Sequence, residues 1–336
     1  MVAGRVSAFA DPEIIDLATK QFVPVCTDDW YTRRRQDAEG EFFRAMASQG
    51  PRKGQGGATR QGIYVFTARG ELLHFSNNGG SADETRKHLK QGLAKFRELP
   101  AAKTKPGAVE VPDRGKPDPN YARTPPEGGL VVRVHARILE EKKDAVEQLF
   151  TKGTCSTKGG DMSSRDFLWL TKDELKAMGP GDRKLGESYP VPEKVAERIA
   201  RFHLVDNTRG EPDFWKKPEV RSRSFTLTVE KVTPDGVELR LDGEAKLATD
   251  ADPAKAARGY EVNAHGKLRW VPAKGTFDRF DVAAVGDHWG RSTFTPNDRP
   301  GRTLLGVAFG LPTGHKPGDN VPPQGAREER NYFGID

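Results

Sequence analysis

Cysteine is nearly absent from this sequence: 336 residues include only Cys26 and Cys155. The two lie on opposite sides of a proline-rich stretch, without CxxC or zinc-type spacing, so neither a disulfide framework nor a cysteine-bound metal is expected. The glycine-rich loop 50–62 lacks the GxxxxGK[ST] spacing of a phosphate-binding loop. The sequence therefore predicts no metal and no cofactor.

Long apolar runs and a concentrated charge of one sign are also lacking. Apolar residues make up 35% of the chain, and no run approaches membrane-spanning length. The net charge of +6 is spread along the chain, and its one tight basic cluster, at residues 33–35, is expected to be a solvated helix face. Neither nucleic-acid binding nor membrane binding is predicted. Because no signal peptide is visible, we expect a soluble protein, cytoplasmic by default and exported if a leader was removed.

The chain length and its proline content predict two domains. A length of 336 residues exceeds that of one typical domain, and residues 100–129 contain seven prolines without apolar periodicity. Proline at this density favours extended, unpaired chain, which predicts a linker. The expected organisation is a domain over 1–99, a linker over 100–129 and a domain over 130–336. This second domain is expected to end in a loop-rich tail that is poorly packed over 312–330, up to Tyr332 and Phe333, which are the candidates for holding it down.

The first domain is organised around residues 21–49, where an apolar run ends at Cys26. Residues 22–25 are typical of a short buried strand, and residues 27–29 supply the side-chain oxygens of a helix N-cap. A thiolate at the positive end of a helix is stabilised, which lowers the thiol pKa, although the aspartates at 28 and 29 oppose this effect. The alternative is that Cys26 is a small buried residue that closes the strand.

The flanking segments give an order of elements that is typical of a known fold. Residues 11–20 predict a helix, the stretch from Trp30 to Met46 one bent helix or two short ones, residues 63–76 a β-hairpin, and residues 81–99 an amphipathic helix. With the strand and cysteine placed between the first two, this order resembles the thioredoxin-like family over about residues 5–99.

The resemblance implies an α/β thioredoxin-like fold with a redox site. Cys26 then matches the nucleophilic cysteine, with Thr27 beside it. Asp29 occupies the place of the resolving cysteine, and residues 58–62 occupy that of the cis-proline loop. Without a resolving thiol, the implied activity is that of a monothiol oxidoreductase, which attacks a disulfide or peroxide and is resolved by a protein or small-thiol partner. The alternative is a non-catalytic binding or scaffold protein that retains the fold.

Residues 130–336 predict an α+β domain with a mostly antiparallel sheet, because helical patterns precede a series of strands from residue 224. A turn at 233–236 is typical of a hairpin. His203, Asp206 and Arg209 lie within seven residues, and are candidates for a general base or an anion clamp, or with a nucleophile for a hydrolase. The alternative is a polar turn that ends a helix. His288, at a strand end, is either functional or part of a packed turn.

Overall fold

A computed structural model of the chain describes residues 8–53, 58–77, 81–110, 113–121, 123–142, 145–148, 164–208, 210–293, 295, 301–314 and 316–334. These residues form two compact units, one within Gly4–Arg123 and one within Thr124–Asp336. Each unit has its own hydrophobic core. Cys155 and Arg209 lie outside the described residues.

The first unit consists, as far as it is described, of helices packed around one antiparallel hairpin. Its elements are α1 Pro12–Gln21, α2 Asp29–Thr32, α3 Ala38–Ala47, β1 Ile63–Phe66, β2 Leu72–Ser76, α4 Ala82–Arg97 and α5 Ala101–Thr104. Its small core contains Ile14, Val65, Leu73 and Leu89. The helices predicted at 11–20 and 81–99 and the hairpin predicted at 63–76 are confirmed.

The segment predicted as one bent helix or two short ones forms two helices, and Asp37 begins the second. Its carboxylate accepts the backbone N–H of Gly40 at 3.1 Å. Gly40 therefore lies in the first turn of α3 and not at the break. A Cβ at Gly40 would lie 2.2 Å from the carbonyl oxygen of Arg35, so this tight approach requires glycine.

The strand predicted at 22–25 is wrong. Residues 22–28 belong to no helix or strand, and the exposed fractions of Val23 and Val25 are 90% and 76%. β-Branched residues favour a strand only where another strand pairs with them, and the sheet described in this unit contains β1 and β2 alone. The strand before Cys26, on which the thioredoxin-like resemblance partly depends, is therefore missing from the observed order.

Much of the stretch predicted as a linker is bound to the first unit. The Asp37 carboxylate accepts the backbone N–H of Asp118 at 2.8 Å, and the Asp118 carboxylate accepts that of Gln36 at 2.8 Å. The bond from Gln36 holds the pKa of Asp118 below its usual value. The rings of Trp30 and Tyr121 also meet, with centroids 5.8 Å apart. The boundary between the units therefore lies near residue 123 and not near residue 99.

The second unit is built on a nine-stranded antiparallel sheet with strand order β4-β3-β11-β10-β9-β8-β7-β6, in which β5 also pairs with β3. The strands are β3 Leu130–Lys142, β4 Ala145–Gln148, β5 Asp166–Leu170, β6 Ser188–Pro190, β7 Val220–Thr233, β8 Gly236–Ala248, β9 Gly259–Val271, β10 Thr276–Trp289 and β11 Thr303–Gly310. The helices are α6 Lys172–Met178, α7 Glu193–Arg198, a π-helix Ile199–His203, 3-10 turns Lys217–Glu219, Pro317–Asn320 and Gln324–Glu328, and α8 Glu329–Phe333. The predicted α+β class with an antiparallel sheet is confirmed.

Alternation of side chains directs one face of this sheet into the main core. Leu227, Leu239, Leu268 and Phe280 come from four successive long strands and are all buried there. The predicted turn at 233–236 joins the first two of these strands, with Thr233 opposite Gly236. Local turn chemistry and alternation are therefore sufficient to place this meander.

The C-terminal tail is packed from residue 321 onward, earlier than expected, and Tyr332 is buried as predicted, whereas most described residues of 313–320 are exposed. All five residues of β5 are buried, because the tail covers the face that the main core leaves open. Leu168 and Leu170 enter the main core, whereas Phe167 and Trp169 join a second cluster that contains Tyr332 of α8. Sparse apolar residues in a Pro- and Gly-rich tail are thus enough to hold it against β5.

Candidate functional site

The segment around Cys26 presents an exposed thiol beside a short helix. Cys26 is exposed. The hydroxyl of Thr27 is engaged by that of Thr32. The Asp28 carboxylate accepts the backbone N–H of Trp30 at 2.8 Å and so begins α2. The predicted N-cap is therefore present, but the helix it begins has only four residues.

The surroundings of Cys26 favour the thiol over the thiolate. Although the side chain is exposed, nearby protein atoms displace water that would hydrate a thiolate, and this desolvation raises the pKa of Cys26. A helix of four residues supplies little opposing dipole. The shift is opposite to the lowered pKa predicted for a strand-to-helix junction. Cys26 is also the one cysteine in the part of the chain described.

Asp29 ties its helix to the loop before the hairpin. Its carboxylate accepts the Thr59 hydroxyl at 2.8 Å and the backbone N–H of Arg60 at 3.2 Å, and it pairs with Arg33. The thioredoxin-like resemblance implies contact between these two positions. However, every peptide bond of the described residues is trans, so the loop has no cis-proline counterpart. Because its carboxylate accepts from three donors, Asp29 has a structural role, which is to hold α2 against the loop before the hairpin.

The three arginines at residues 33–35, predicted to form a solvated helix face, instead contact other side chains of the first unit. Each is half-buried. Arg33 pairs with Asp29, Arg34 lies 4.3 Å from the ring centroid of Trp30, and Arg35 donates to Asp37 at 3.0 Å. Because each guanidinium has a partner within its own segment, this cluster is not a preformed site for an external anion.

Two histidines of the first unit share a hydrogen bond. Nε2 of His74 on β2 lies 2.9 Å from Nδ1 of His88 on α4, and the ring planes differ by 27°. Burial lowers the pKa of His74, and the positive charges of His88 and Lys95 lower it further. The neutral form of His74 is therefore the one that the folded unit favours.

This pair predicts that α4 becomes less stable as the pH falls from 7 to 5. The folded pKa of His74 lies below the ordinary value of about 6.5, so the unfolded state binds more protons in this window and stability is lost with acid. We expect faster amide hydrogen exchange in α4 at pH 5 than at pH 7, after correction for intrinsic rates. His74→Asn should lose most of this pH dependence. An equal pH dependence in that variant would contradict the assignment.

The candidates of the second unit do not converge. Nε2 of buried His203 lies 3.0 Å from the Tyr332 hydroxyl, and its Nδ1 lies 3.5 Å from the Asp166 carboxylate. Asp206 accepts instead from the backbone and hydroxyl of Thr208, at 3.0 and 2.6 Å. The two side chains thus serve different local structures, and the geometry gives no support to a His203–Asp206 hydrolase.

A buried polar network that sequence reasoning missed holds the C-terminal tail. Arg198 has no exposed side-chain surface, pairs with Glu174 through both carboxylate oxygens, and donates to the carbonyl groups of Trp169 and Tyr332 at 2.9 and 2.6 Å. Burial raises the pKa of the Tyr332 phenol, so it stays protonated and can donate to His203. The sequence feature that could have predicted this network is an arginine at the end of an apolar helix face.

Asp206 and His288 line one small polar cavity with Arg258, Ser292 and Thr295. Its volume is about 10 Å³, which is room for one water molecule. The Ser292 hydroxyl is engaged by Thr295 at 2.8 Å and accepts the backbone N–H of Asp213. An apolar cavity inside the main core is equally small. Neither cavity has room for an organic substrate.

Comparisons of the chain with protein-family models, with curated proteins and with solved structures find no match. Among the residues that the structure covers, no three His, Cys, Asp or Glu side chains are grouped to hold a metal ion. No helix in those ranges is long and apolar enough to cross a membrane.

Proposed function

We propose that the chain is a non-catalytic binding protein, and that it contacts its partner through the exposed segment of residues 22–26. The observation that carries this proposal is the exposure of Val23 and Val25, 90% and 76%, higher than that of any other large apolar side chain described. Exposed apolar side chains that lie together mark interaction surfaces in soluble proteins.

The backbone of the segment supports the same function. Phe22 donates its N–H to Ala18 at the end of α1, whereas residues 23–26 make no backbone hydrogen bond to any described residue. Phe22 at one end and Asp28 just beyond the other have extended backbone angles. A segment outside helix and strand that exposes β-branched side chains is suited to contact with a partner chain.

A second candidate is the monothiol redox function, which the exposure of Cys26 and the contact between Asp29 and residues 59–60 favour. In that function the Cys26 thiolate attacks a disulfide, displaces one thiolate, and an external thiol resolves the mixed disulfide. The raised pKa of Cys26 opposes it, because the thiol is a poor nucleophile. We therefore place the binding function first.

Photo-crosslinking in the cells that make the protein tests the binding function. With p-benzoylphenylalanine in place of Val25, we expect an adduct of discrete mass that Val23→Lys abolishes and Cys26→Ser leaves unchanged. The matched control carries the same photo-reactive residue in place of Val232, a valine of the second unit with 56% exposure. Equal adducts from both positions, or no adduct from position 25, would contradict the proposal.

A further inference from the structure

Three basic side chains of β3 lie on one face of the sheet in the second unit. Arg133, His135 and Arg137 alternate with residues that are buried in the main core, so these three side chains project from the opposite face. All three are half-buried. This outer face of β3 therefore carries two guanidinium groups with an imidazole between them.

Arg165 adds a third guanidinium beside the imidazole. The N–H of Ser164 donates to the carbonyl group of Ala136 at 3.0 Å, and this register places the next residue, Arg165, opposite His135. Arg165 is exposed and forms no ion pair with another described residue. Its guanidinium can therefore donate to a ligand.

The carboxylate of Asp319 in the C-terminal tail compensates one of these charges. It accepts from Nε and Nη2 of Arg133 at 2.8 and 2.9 Å. Although burial opposes the shift, these bonds and the charges of Arg133 and Arg165 hold the pKa of Asp319 below its usual value. Burial lowers the pKa of His135, and the charges of Arg165 and Arg133 lower it further. Positive potential therefore persists at His135 beside an ionised carboxylate.

The neighbouring strands leave open space beside the basic row. The residues of β11 opposite the row are Gly306, Ala308 and Gly310. A Cβ at Gly310 would have one described atom within 4 Å, the carbonyl oxygen of Phe280 at 4.0 Å. Ala308 and its partner on β10, Ala283, are exposed. A ligand can therefore lie beside the basic row on a floor of small side chains.

We propose that this outer face binds a phosphate group, either inorganic phosphate or a phosphate monoester. The face belongs to the second unit, so the proposal goes beyond the binding function of residues 22–26. Guanidinium groups present paired N–H donors that match phosphate oxygens, and Arg133 keeps further donors after pairing with Asp319. A phosphate group carries more negative charge than a carboxylate near neutral pH, so it offsets more of the positive potential.

His135 links phosphate binding to a proton. Its Nδ1 lies 3.1 Å from the carbonyl oxygen of Ser164, which can only accept, so Nδ1 carries the proton of the neutral ring and Nε2 takes up the second proton. A bound phosphate stabilises the resulting imidazolium and so raises the pKa of His135. The described charged groups around His135 are Arg133 and Arg137 of its own strand, Arg165, and Asp319 of the tail.

Isothermal titration calorimetry of the full chain with inorganic phosphate, at constant ionic strength, tests the site. Arg165→Gln should weaken phosphate binding about tenfold, because it removes a charged donor. Ala308→Glu should weaken it at least as much, because it places a carboxylate opposite His135. The matched control is Arg240→Gln on β8, four strands from β3, where Arg240 donates to Asp242 at 2.6 Å. This control should retain the affinity of the unmodified chain.

The pKa of His135, measured by NMR with and without phosphate, gives a readout that a change in stability does not imitate. His135→Asn identifies its signal among the seven histidines. The pKa should rise on saturation with phosphate, and rise less in Arg165→Gln. No phosphate binding, equal binding by Arg165→Gln and the unmodified chain, or an unchanged pKa of His135 would overturn the proposal.

Glycerol 3-phosphate distinguishes the two sources of the phosphate group. Binding tighter than that of inorganic phosphate assigns the site to a monoester whose organic part contacts the floor of small side chains. Equal or weaker binding assigns it to the free ion.

Discussion

Replacement of Arg198 by methionine is expected to destabilise the second unit by about 3–5 kcal/mol. The substitution leaves the largely buried Glu174 carboxylate, 13% exposed, without its cation, and it removes the buried donors to the carbonyl groups of Trp169 and Tyr332. Removing one partner of a buried pair costs far more than the pair itself contributes, because the remaining charge stays desolvated. Urea unfolding followed by tryptophan fluorescence measures the loss, since four of the five tryptophans lie in this unit.

The matched control is Arg279→Met on the outer face of the sheet. Arg279 pairs with Asp281, and the two side chains are 51% and 61% exposed, so its loss should cost about 0–1 kcal/mol. Adding Glu174→Gln to Arg198→Met should recover part of the stability, because it removes the unpaired charge while an amide oxygen can still accept the backbone N–H of Thr171. A loss at Arg198 no larger than that at Arg279 would show that the network does not hold the tail.

Patterns within a few residues of sequence were sufficient to predict helix N-caps and a hairpin turn. Asp11 and Ser81 begin α1 and α4 as N-caps, and the turn at 233–236 closes its hairpin. Such features depend on neighbouring backbone groups, and these are fixed by the sequence around them.

The features that could not be predicted depend on residues far apart in the chain. Arg198 and Tyr332 are separated by 134 residues, and Gln36 and Asp118 by 82. A periodic pattern shows that Arg198 lies in a helix, but not which carbonyl groups it meets. The same limitation explains the packed tail and the position of the boundary near residue 123.

The strand predicted before Cys26 was wrong for a related reason. Its β-branched residues have the composition of a strand, but a strand requires a partner, and propensity says nothing about whether one is present. The sequence therefore could not predict the exposure of this segment or the raised pKa of Cys26. Because Val23 and Val25 are highly exposed, we propose that this part of the segment, and not the sulfur atom of Cys26, contacts the partner.

The central claim is that this segment binds without using Cys26 as a nucleophile, and the pH dependence of Cys26 alkylation tests it most directly. Iodoacetamide reacts with the thiolate, so the rate follows the thiol pKa. In the Cys155→Ser chain, we expect the folded protein to reach its half-maximal rate at a higher pH than the same chain in urea, where the thiol has its ordinary pKa of about 8.5. Between pH 6 and 8 the rate should rise about tenfold per pH unit. A folded-state rate that reaches its plateau below pH 7 would contradict the account and restore the monothiol redox function.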